Sequence, residues 1–376
     1  MKLSVVILNY NVRYFLEQTI KSVQQAIRSI DAEIIVIDNN SEDESCAMVK
    51  ELFPRIHLIE NSENVGFSKA NNQAVAAAKG EYVCILNPDT AVPHNIFTDC
   101  LNVAAGLPHM GAMGVRLMDG TGNFLPESKR NLPTPKASIL KLLGLAKRKN
   151  SYYANDITDW QQGEVDVLPG AFMLVKREVY TEVNGFDEDY FMYGEDIDFS
   201  YKLLAAGYRN YYYGNNGILH YKGESPQMDG AYLDRFYGAM KIFYKKHYNS
   251  NLLMNAMVQA GIAASKSLRK LKMRKADKPG PVVKEAIVIT DNLNLLKALS
   301  EKIDIPVKSA SKLLLNDGDL SNTMLVFDEN YMSYNQIFMV MDRMKNRNNR
   351  FRIRPAGCNF IIGSDRSDEK GSVIVF

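Results

Sequence analysis

The first ninety residues alternate short apolar runs with amphipathic segments, and this alternation constrains the fold more than any other feature of the chain. The apolar runs have the length of buried strands and are Leu3–Leu8, Ile34–Ile37, His57–Ile59 and Tyr82–Leu86. The segments between them have helical spacing and are Tyr14–Ile30, Glu44–Leu52 and Ser68–Lys79. Strands that alternate with helices in this way predict an α/β fold, with a mostly parallel central sheet and helices on its faces.

The region that follows is less regular. A loop rich in proline and basic residues occupies Leu125–Lys149, and the strand-like segment VDVLPGAFMLVKR comes after it. A helix is predicted to begin near Glu195, YRNYYY looks like a further strand, and GILHY follows it. We assign residues 1–250 to one large domain, because its length and apolar content suffice for a single core.

Residues 251–281 change in character. Apolar residues recur at three- and four-residue spacing from Leu253 to Leu271, and the segment ends in the basic run SKSLRKLKMRKADKPGP. We interpret it as a linker helix that either contacts an anionic membrane surface or packs between domains with its basic end in solvent. Residues 282–376 resume the strand–helix rhythm and predict a small α/β accessory domain.

Composition excludes several classes of protein. A net charge of +2 gives no indication of nucleic-acid binding. The four cysteines are widely spaced without a CxxC pair, which fits a reducing compartment rather than a zinc site or a disulfide framework. The first apolar run is too short for a signal peptide, and no stretch approaches the roughly 18 apolar residues of a membrane span. We therefore expect a cytoplasmic protein.

Polar side chains follow three of the predicted strands. Asn9 and Tyr10 follow the first, Asp38 ends the second, and Asn87 and Asp89 follow the fourth. Ligands of open parallel sheets bind beyond the carboxyl ends of the strands, so these residues predict a polar crevice at one edge. Each also has a local explanation, because Asp, Asn and Ser are common in turns and helix caps.

The spacing of Asn87 and Asp89 suits an ion or a diphosphate. A hard cation such as Mg²⁺ or Mn²⁺ binds oxygen ligands from a few protein groups, and phosphate oxygens complete its shell. Pro88 restricts the backbone between the two side chains. An Asn-Pro-Asp tripeptide is equally good turn chemistry, so both interpretations stay open.

Two further segments carry candidate residues. NVGFSKANN, residues 64–72, places a glycine turn before a helix, which suits a nucleotide phosphate but is equally an ordinary capped junction. In GEDIDFS, Asp196 is a candidate general base for an acceptor hydroxyl, although carboxylates at a helix N-terminus are also stabilised by the helix dipole. His220 follows another strand and is either structural or a metal ligand.

The order of these motifs resembles that of family 2 glycosyltransferases, and the rhamnosyltransferase-like branch in particular. The resemblance covers about the first 250 residues and rests on seven segments in register: LSVVILNYN, IIVIDNNSEDES, ENSENVGFSKANN, YVCILNPDT, LPGAFMLVKREVY, GFDEDYFMYGEDIDFSYKLLAAGY and LHYKGES. It implies the GT-A fold and inverting transfer from a nucleoside-diphosphate sugar, with Mn²⁺ or Mg²⁺ as cofactor.

The resemblance also implies roles for residues. Asp196 matches the catalytic base. The donor-binding positions are Asn9, Tyr10, Asp38, Asn64, Asn71, Asn87 and Asp89. The acceptor-binding positions are Gly170, Ala171, Phe172 and Glu195. The metal positions are Asp89 and His220. Two departures stand out, because Asn87 replaces the usual first aspartate of the DxD motif and Asn71 stands where many relatives carry arginine.

These features lead to one main hypothesis, a hexosyl- or rhamnosyltransferase of cell-surface polysaccharide assembly, with a saccharide or lipid-linked saccharide as acceptor. The alternatives are a nucleotide-sugar-binding scaffold without turnover and a nucleotidyltransferase. The C-terminal domain loosely resembles small Rossmann-like domains of bacterial polysaccharide-biosynthesis proteins, but its first strand is followed by TDNLNLL and by no GxGxxG turn. We expect it to bind a protein partner or to be regulatory, and the whole protein to be cytoplasmic or peripheral on the inner membrane.

Overall fold

The computed structural model describes residues 1–133, 152–221, 230–248, 282–317, 320–366 and 369–376. The predicted linker helix at 251–281 and most of the basic loop lie outside these described residues. The described part contains two β-sheets, each with helices packed on it.

The first sheet has nine strands and spans the N-terminal part of the chain. They are β1 (Leu3–Asn9), β2 (Ala32–Asp38), β3 (His57–Glu60), β4 (Tyr82–Leu86), β5 (Thr90–Ala91), β6 (Met110–Met118), β7 (Gln162–Val165), β8 (Phe172–Lys176) and β9 (Arg209–His220). The order is β3-β2-β1-β4-β8-β6-β9-β5, and β7 pairs with β9. β8 is antiparallel to both of its neighbours, whereas β1 to β4, β6 and β9 run in one direction. The predicted mostly parallel sheet is confirmed.

Helices cover both faces of this sheet. They are α1 (Arg13–Ala26), α2 (Ser45–Leu52), α3 (Phe67–Ala77), α4 (Ile96–Ala105), α5 (Arg177–Glu182), α6 (Glu195–Ala205) and α7 (Gly230–His247). Alternate residues of β1 face opposite sides, as strand geometry requires. Val5 and Ile7 pack with Leu16 of α1 in one core, and Val6 packs with Ala74 of α3 in the other.

The second sheet has six strands. They are β10 (Glu285–Ile289), β11 (Val307–Ala310), β12 (Thr323–Asp328), β13 (Arg350–Arg354), β14 (Phe360–Gly363) and β15 (Ser372–Val375), in the order β11-β10-β12-β13-β14-β15. Its helices are α8 (Leu293–Ser300), α9 (Leu314–Asp317) and α10 (Tyr334–Met344). Ser333 and Gln336 form a capping box that begins α10. A small second α/β domain is therefore present, as predicted.

One hydrophobic cluster contains residues of both sheet domains and forms a shared core between them. Phe15 of α1 and Leu219 of β9 belong to the same buried cluster as Phe327 and Tyr334 of the second domain. A half-buried ion pair crosses the same junction, with Arg116 Nη2 of β6 at 2.7 Å from Asp342 Oδ1 of α10. The accessory domain is thus packed tightly against the first domain.

Two predictions about strands were wrong. YRNYYY was predicted as a strand of its own, but β9 continues through the polar residues 214–216 to His220, because pairing with β6 continues across a bulge. Conversely, VDVLPGAFMLVKR does not form one strand: β7 ends at Val165 and β8 begins at Phe172. Pro169 lies between them, and it cannot donate a hydrogen bond to a strand ladder. Among the described residues, no helix is long and apolar enough to span a membrane.

Candidate active site

The ends of β1 and β2 meet through their side chains. Asn9 Nδ2 donates to Asp38 Oδ2 at 2.7 Å and lies 3.0 Å from Ser41 Oγ. Asp38 Oδ1 accepts from the backbone N–H of Ser41 at 2.7 Å, which holds the turn after β2. Asn9 and Asp38 are buried, whereas the neighbouring Tyr10 is 44% exposed. Asp38 thus holds the turn after β2 through its side chain, as expected of an aspartate in a turn. Tyr10 exposes its aromatic ring to solvent beside it.

The loop before α3 is fixed to this turn and to the loop before α6. Asn39 Nδ2 contacts Asn64 Oδ1 at 3.2 Å and Gly66 O at 3.1 Å. Gly66 has a φ of +86°, and a Cβ there would lie 2.6 Å from the carbonyl oxygen of Phe191. That same carbonyl accepts from Phe67 N at 2.7 Å. The two loops therefore approach so closely that only glycine fits at position 66.

Asn71 differs from the other predicted donor residues. Its side chain is fully buried, and its Nδ2 donates to Phe67 O within α3. Its Oδ1 is buried without a hydrogen-bond partner. The structure thus places the Asn71 side chain inside the protein, and not on the surface where the predicted contact with a donor would form.

Asp89 and His220 lie side by side at the sheet edge. Thr90 pairs with His220 across β5 and β9, and Tyr221 N donates to Asp89 O at 3.0 Å. This pairing places Asp89 Oδ1 at 3.3 Å from His220 Nε2, and Asn87 Nδ2 at 3.4 Å from the same nitrogen. The family resemblance implied that Asp89 and His220 act together, and the fold brings the two side chains together although they are more than 130 positions apart.

The Asp89–His220 pair fits a divalent cation. Asp89 Oδ1 is buried without a hydrogen-bond partner, and two ligand atoms about 3 Å apart can both reach one ion at about 2.1 Å. No group of three or more His, Cys, Asp or Glu side chains that could hold a metal occurs in the part of the chain that the structure describes. Asp89 and His220 could supply two protein ligands, and phosphate oxygens would complete the shell of an ion held there.

The segment after β7 joins this edge to the helix that carries Asp196. Ala171 O accepts from Asn87 N at 3.1 Å, and Gly170 approaches the ring of Phe67 so closely that a Cβ would lie 3.1 Å from it. Phe172, which we expected at the acceptor side, lies in the core instead. It is fully buried and stacks on Phe97 at a ring separation of 6.0 Å, because residue 172 begins the central strand β8.

Asp196 is held by an arginine that sequence reasoning missed. Arg130 Nη2 lies 2.5 Å from Asp196 Oδ2 and 3.1 Å from the carbonyl oxygen of Leu168. Burial lowers the pKa of Arg130, but Asp196 and Tyr152 more than offset this effect, so the guanidinium pKa is raised and the group stays charged. Arg130 stands in a run of basic and proline residues that gives no signal for one functional arginine. Hydrogen bonds thus connect Asp196 to Arg130, Arg130 to the carbonyl oxygen of Leu168, and the segment 168–171 to Asn87.

Glu195 is a buried carboxyl group next to Asp196. Burial raises its pKa to about 8, and the charge of Asp196 adds to the rise. Its Oε2 is buried without a hydrogen-bond partner. Burial and the adjacent carboxylate of Asp196 therefore both favour the protonated form of Glu195.

Residues 4–183 match the sequence profile of the family described as glycosyl transferase family 2. The chain is a glycosyltransferase whose N-terminal part matches this family. This glycosyltransferase is similar to an N-acetylglucosaminyl-diphospho-decaprenol L-rhamnosyltransferase of Mycobacterium tuberculosis strain H37Rv, with 27% identity over 243 residues, 61% of this chain and 79% of the relative. It is also similar to the rhamnosyltransferase WbbL of Escherichia coli K12, with 31% identity over 167 residues, 42% of this chain and 61% of the relative.

Two solved structures are similar to this glycosyltransferase. Staphylococcus aureus TarS 1–349 in complex with UDP-GlcNAc has 17% identity and a TM-score of 0.48, over 74% of this chain and 76% of that chain. The mannosyltransferase PcManGT of Pyrobaculum calidifontis, in complex with GDP-Man and Mn²⁺, has 18% identity and a TM-score of 0.47, over 74% and 76%. The resemblance to family 2 glycosyltransferases, and the glycosyltransferase activity that it implied, are confirmed by the match over residues 4–183 and by these relatives.

Proposed function

We propose that this glycosyltransferase is a metal-assisted inverting enzyme that transfers rhamnose or another hexose from a nucleoside-diphosphate sugar to a hydroxyl group. The proposed acceptor is a saccharide or a lipid-linked saccharide. The name of the mycobacterial relative, which includes both L-rhamnose and a diphospho-decaprenol carrier, supports this choice. The single observation that carries the mechanism is the Asp89–His220 pair, in which the buried Asp89 Oδ1 lies 3.3 Å from His220 Nε2 and has no hydrogen-bond partner.

In this proposal the donor lies along the ends of β1, β2 and β4. Tyr10 contributes its exposed ring to the nucleoside, and Asp38 and Asn9 hold the turn on which the nucleoside rests. Asn64 holds the loop before α3, and Asn87 donates a hydrogen bond at the diphosphate end. Asp89 and His220 would hold Mn²⁺ or Mg²⁺, which when bound supplies a Lewis acid that stabilises charge on the leaving diphosphate.

Asp196 is the proposed general base. The acceptor oxygen attacks the anomeric carbon while the bond from that carbon to the diphosphate oxygen breaks, and the hydroxyl proton passes to the Asp196 carboxylate. Arg130 orients this carboxylate, and the protonated Glu195 keeps the site from holding two adjacent negative charges. Gly170 and Ala171 border the acceptor side because they adjoin both Asn87 and Phe67. One displacement inverts the anomeric centre and requires no covalent intermediate.

We further propose the domain division 1–250, 251–281 and 282–376, with the basic segment 251–281 bringing the enzyme to an anionic membrane surface on the cytoplasmic side. A lipid-linked acceptor would be presented there. Binding of the full chain to vesicles with and without anionic lipid tests this part: equal binding to both would contradict it.

The catalytic proposal is tested with a panel of nucleoside-diphosphate sugars, with and without Mn²⁺ or Mg²⁺. We expect donor cleavage with at least one sugar, and a fall of about 10²- to 10⁴-fold in kcat for Asp196→Asn, the usual contribution of a general base. Glu164→Gln is a suitable control, because Glu164 is an exposed carboxylate on edge strand β7. Tight donor binding without turnover would instead favour the scaffold, and pyrophosphate release from a nucleoside triphosphate would favour a nucleotidyltransferase.

A further inference from the structure

Helix α1 lies between the Asp89 loop and the C-terminal domain. One stripe of α1, with the spacing of successive helical turns, faces the second domain. Its contacts are Tyr14 with Phe360 at a ring separation of 5.0 Å, Glu17 with Cys358 at 3.2 Å, Gln18 with Tyr334 at 3.4 Å and Lys21 with the carbonyl oxygen of Ala356 at 2.9 Å. The second domain therefore contacts α1 along two turns of the helix.

The adjacent stripe of α1 faces the proposed metal residues. Thr19 is fully buried, and its Oγ1 lies 2.6 Å from the carbonyl oxygen of Pro88 and 2.7 Å from that of Thr90. These carbonyl groups stand on either side of Asp89. The hydroxyl donates its one proton to either of them, and it accepts from Thr90 N at 3.2 Å. One side chain thus contacts the backbone on both sides of Asp89.

The strand that carries His220 is fixed from the same direction. Phe15 of α1 packs edge-on against Tyr221 at a ring separation of 5.1 Å. Leu219 and Tyr221, the neighbours of His220, belong to the buried cluster that includes residues of the second domain. Because successive side chains of a strand alternate in direction, His220 faces the site while its neighbours face the shared core.

We propose that Thr19 is a positioning residue for the Asp89–His220 pair, and that the C-terminal domain acts on this pair by holding α1 in place. The inference rests on the proposed function, because it gives the second domain a role in the proposed metal site. It extends that function by making metal affinity depend on contacts with a domain that supplies no proposed metal ligand.

Thr19→Val tests the hydroxyl, because valine keeps the shape of the side chain but cannot hydrogen-bond. Hydrogen–deuterium exchange of the peptide that contains Thr90 should become about fivefold faster, the factor expected for the loss of one hydrogen bond. Mn²⁺ affinity of the full chain, measured with the metal alone by electron paramagnetic resonance of the free ion, should fall about tenfold, as for other groups that orient a metal ligand. Thr19→Ser keeps the hydroxyl, so the exchange rate and the Mn²⁺ affinity should both stay near their wild-type values, although this change also removes a buried methyl group.

Gly122→Ala tests the role of the second domain. Gly122 has a φ of +84°, and a Cβ there would collide with the carbonyl oxygen of Met341 in α10. We expect faster exchange of the peptide that contains Thr90 and weaker Mn²⁺ binding, as in Thr19→Val. Gly207→Ala is the matched control, because Gly207 has a φ of +93° but no atom within 4 Å of the added Cβ.

The outcomes separate this inference from the function on which it rests. Exchange and Mn²⁺ affinity that stay unchanged in Thr19→Val, or that change equally in Thr19→Ser, would overturn the role of Thr19. Equal effects of Gly122→Ala and Gly207→Ala would overturn the role of the domain. Failure of the wild-type protein to bind Mn²⁺ would overturn the metal assignment itself, and the exchange data would still decide whether Thr19 holds the loop.

Discussion

At the scale of single residues, the site depends on a few buried polar groups whose partners lie far away in the sequence. Asp38, Asp89, Asp196 and His220 were recognised from their motifs. Arg130 was not, because its role comes from a fold that brings it within 2.5 Å of a residue 66 positions away. A sequence pattern can identify a carboxylate after a strand, but it cannot identify which of several arginines in a loop reaches that carboxylate.

The raised pKa of Glu195 gives a prediction about stability. The unfolded carboxyl group titrates near its ordinary value of 4.5, whereas the folded one titrates at about 8. Between these values the folded protein keeps a proton that the unfolded chain has released, so the wild-type protein loses stability as pH rises through this range. Glu195→Gln does not titrate. We expect it to be more stable than the wild type at pH 8, on the order of 4 kcal/mol, with the difference shrinking towards pH 4.5.

Urea unfolding at several pH values measures this difference. Glu164→Gln provides the control, because that side chain is 60% exposed and its variant should follow the wild type at every pH. A difference between Glu195→Gln and the wild type that does not change from pH 5 to pH 8 would contradict the buried, protonated state of Glu195.

At the scale of elements, the loops before α3 and α6 hold each other in place. Phe67 N donates to Phe191 O, and Ser68 Oγ donates to Tyr190 O at 2.8 Å. Helices α3 and α6 were both predicted, since their apolar spacing is regular. Their contact was not, because it depends on Gly66, and a glycine before a helix has the same appearance in sequence whether or not another loop lies against it.

This contact predicts the effect of Gly66→Ala. The added Cβ must adopt a φ of +86° and must also displace Phe191, so it strains the backbone and separates the two loops. We expect a loss of about 1–3 kcal/mol in the free energy of unfolding and a raised KM for the donor. Gly207→Ala causes the same backbone strain, but no atom lies within 4 Å of the added Cβ, so its free energy of unfolding should fall by only about 1 kcal/mol. Equal losses in the two variants would show that the loops do not constrain each other.

At the scale of the whole molecule, the sequence predicted two α/β units but not how closely they pack. Strand and helix periodicity is local, so it specified most of the elements of both sheets. The junction was not predictable, because residues such as Met118 and Leu219 have the same apolar character whether they contact their own helices or another domain. The accessory domain was expected to serve a partner or regulation, and its observed contacts include α1, β6 and β9.

A shared core predicts that the two domains unfold together. The only tryptophan, Trp160, reports on their junction, because its ring lies 4.1 Å from the guanidinium of Arg116, which pairs with Asp342 of the second domain. We expect its fluorescence and the far-UV circular dichroism to change at the same urea concentration. Asp342→Asn should lower the free energy of unfolding by about 1–3 kcal/mol and so move both transitions to lower urea concentration. The reason is that the Arg116 side chain is 4% exposed and keeps only a more distant partner, Asp159 at 3.8 Å. Glu285→Gln breaks an exposed pair with Lys308 inside the second domain and should leave both transitions nearly unchanged.

A tryptophan transition that precedes the loss of circular dichroism would mean that the domains separate before either unfolds. The shared core would then be too weak for the second domain to hold α1 against the Asp89 loop.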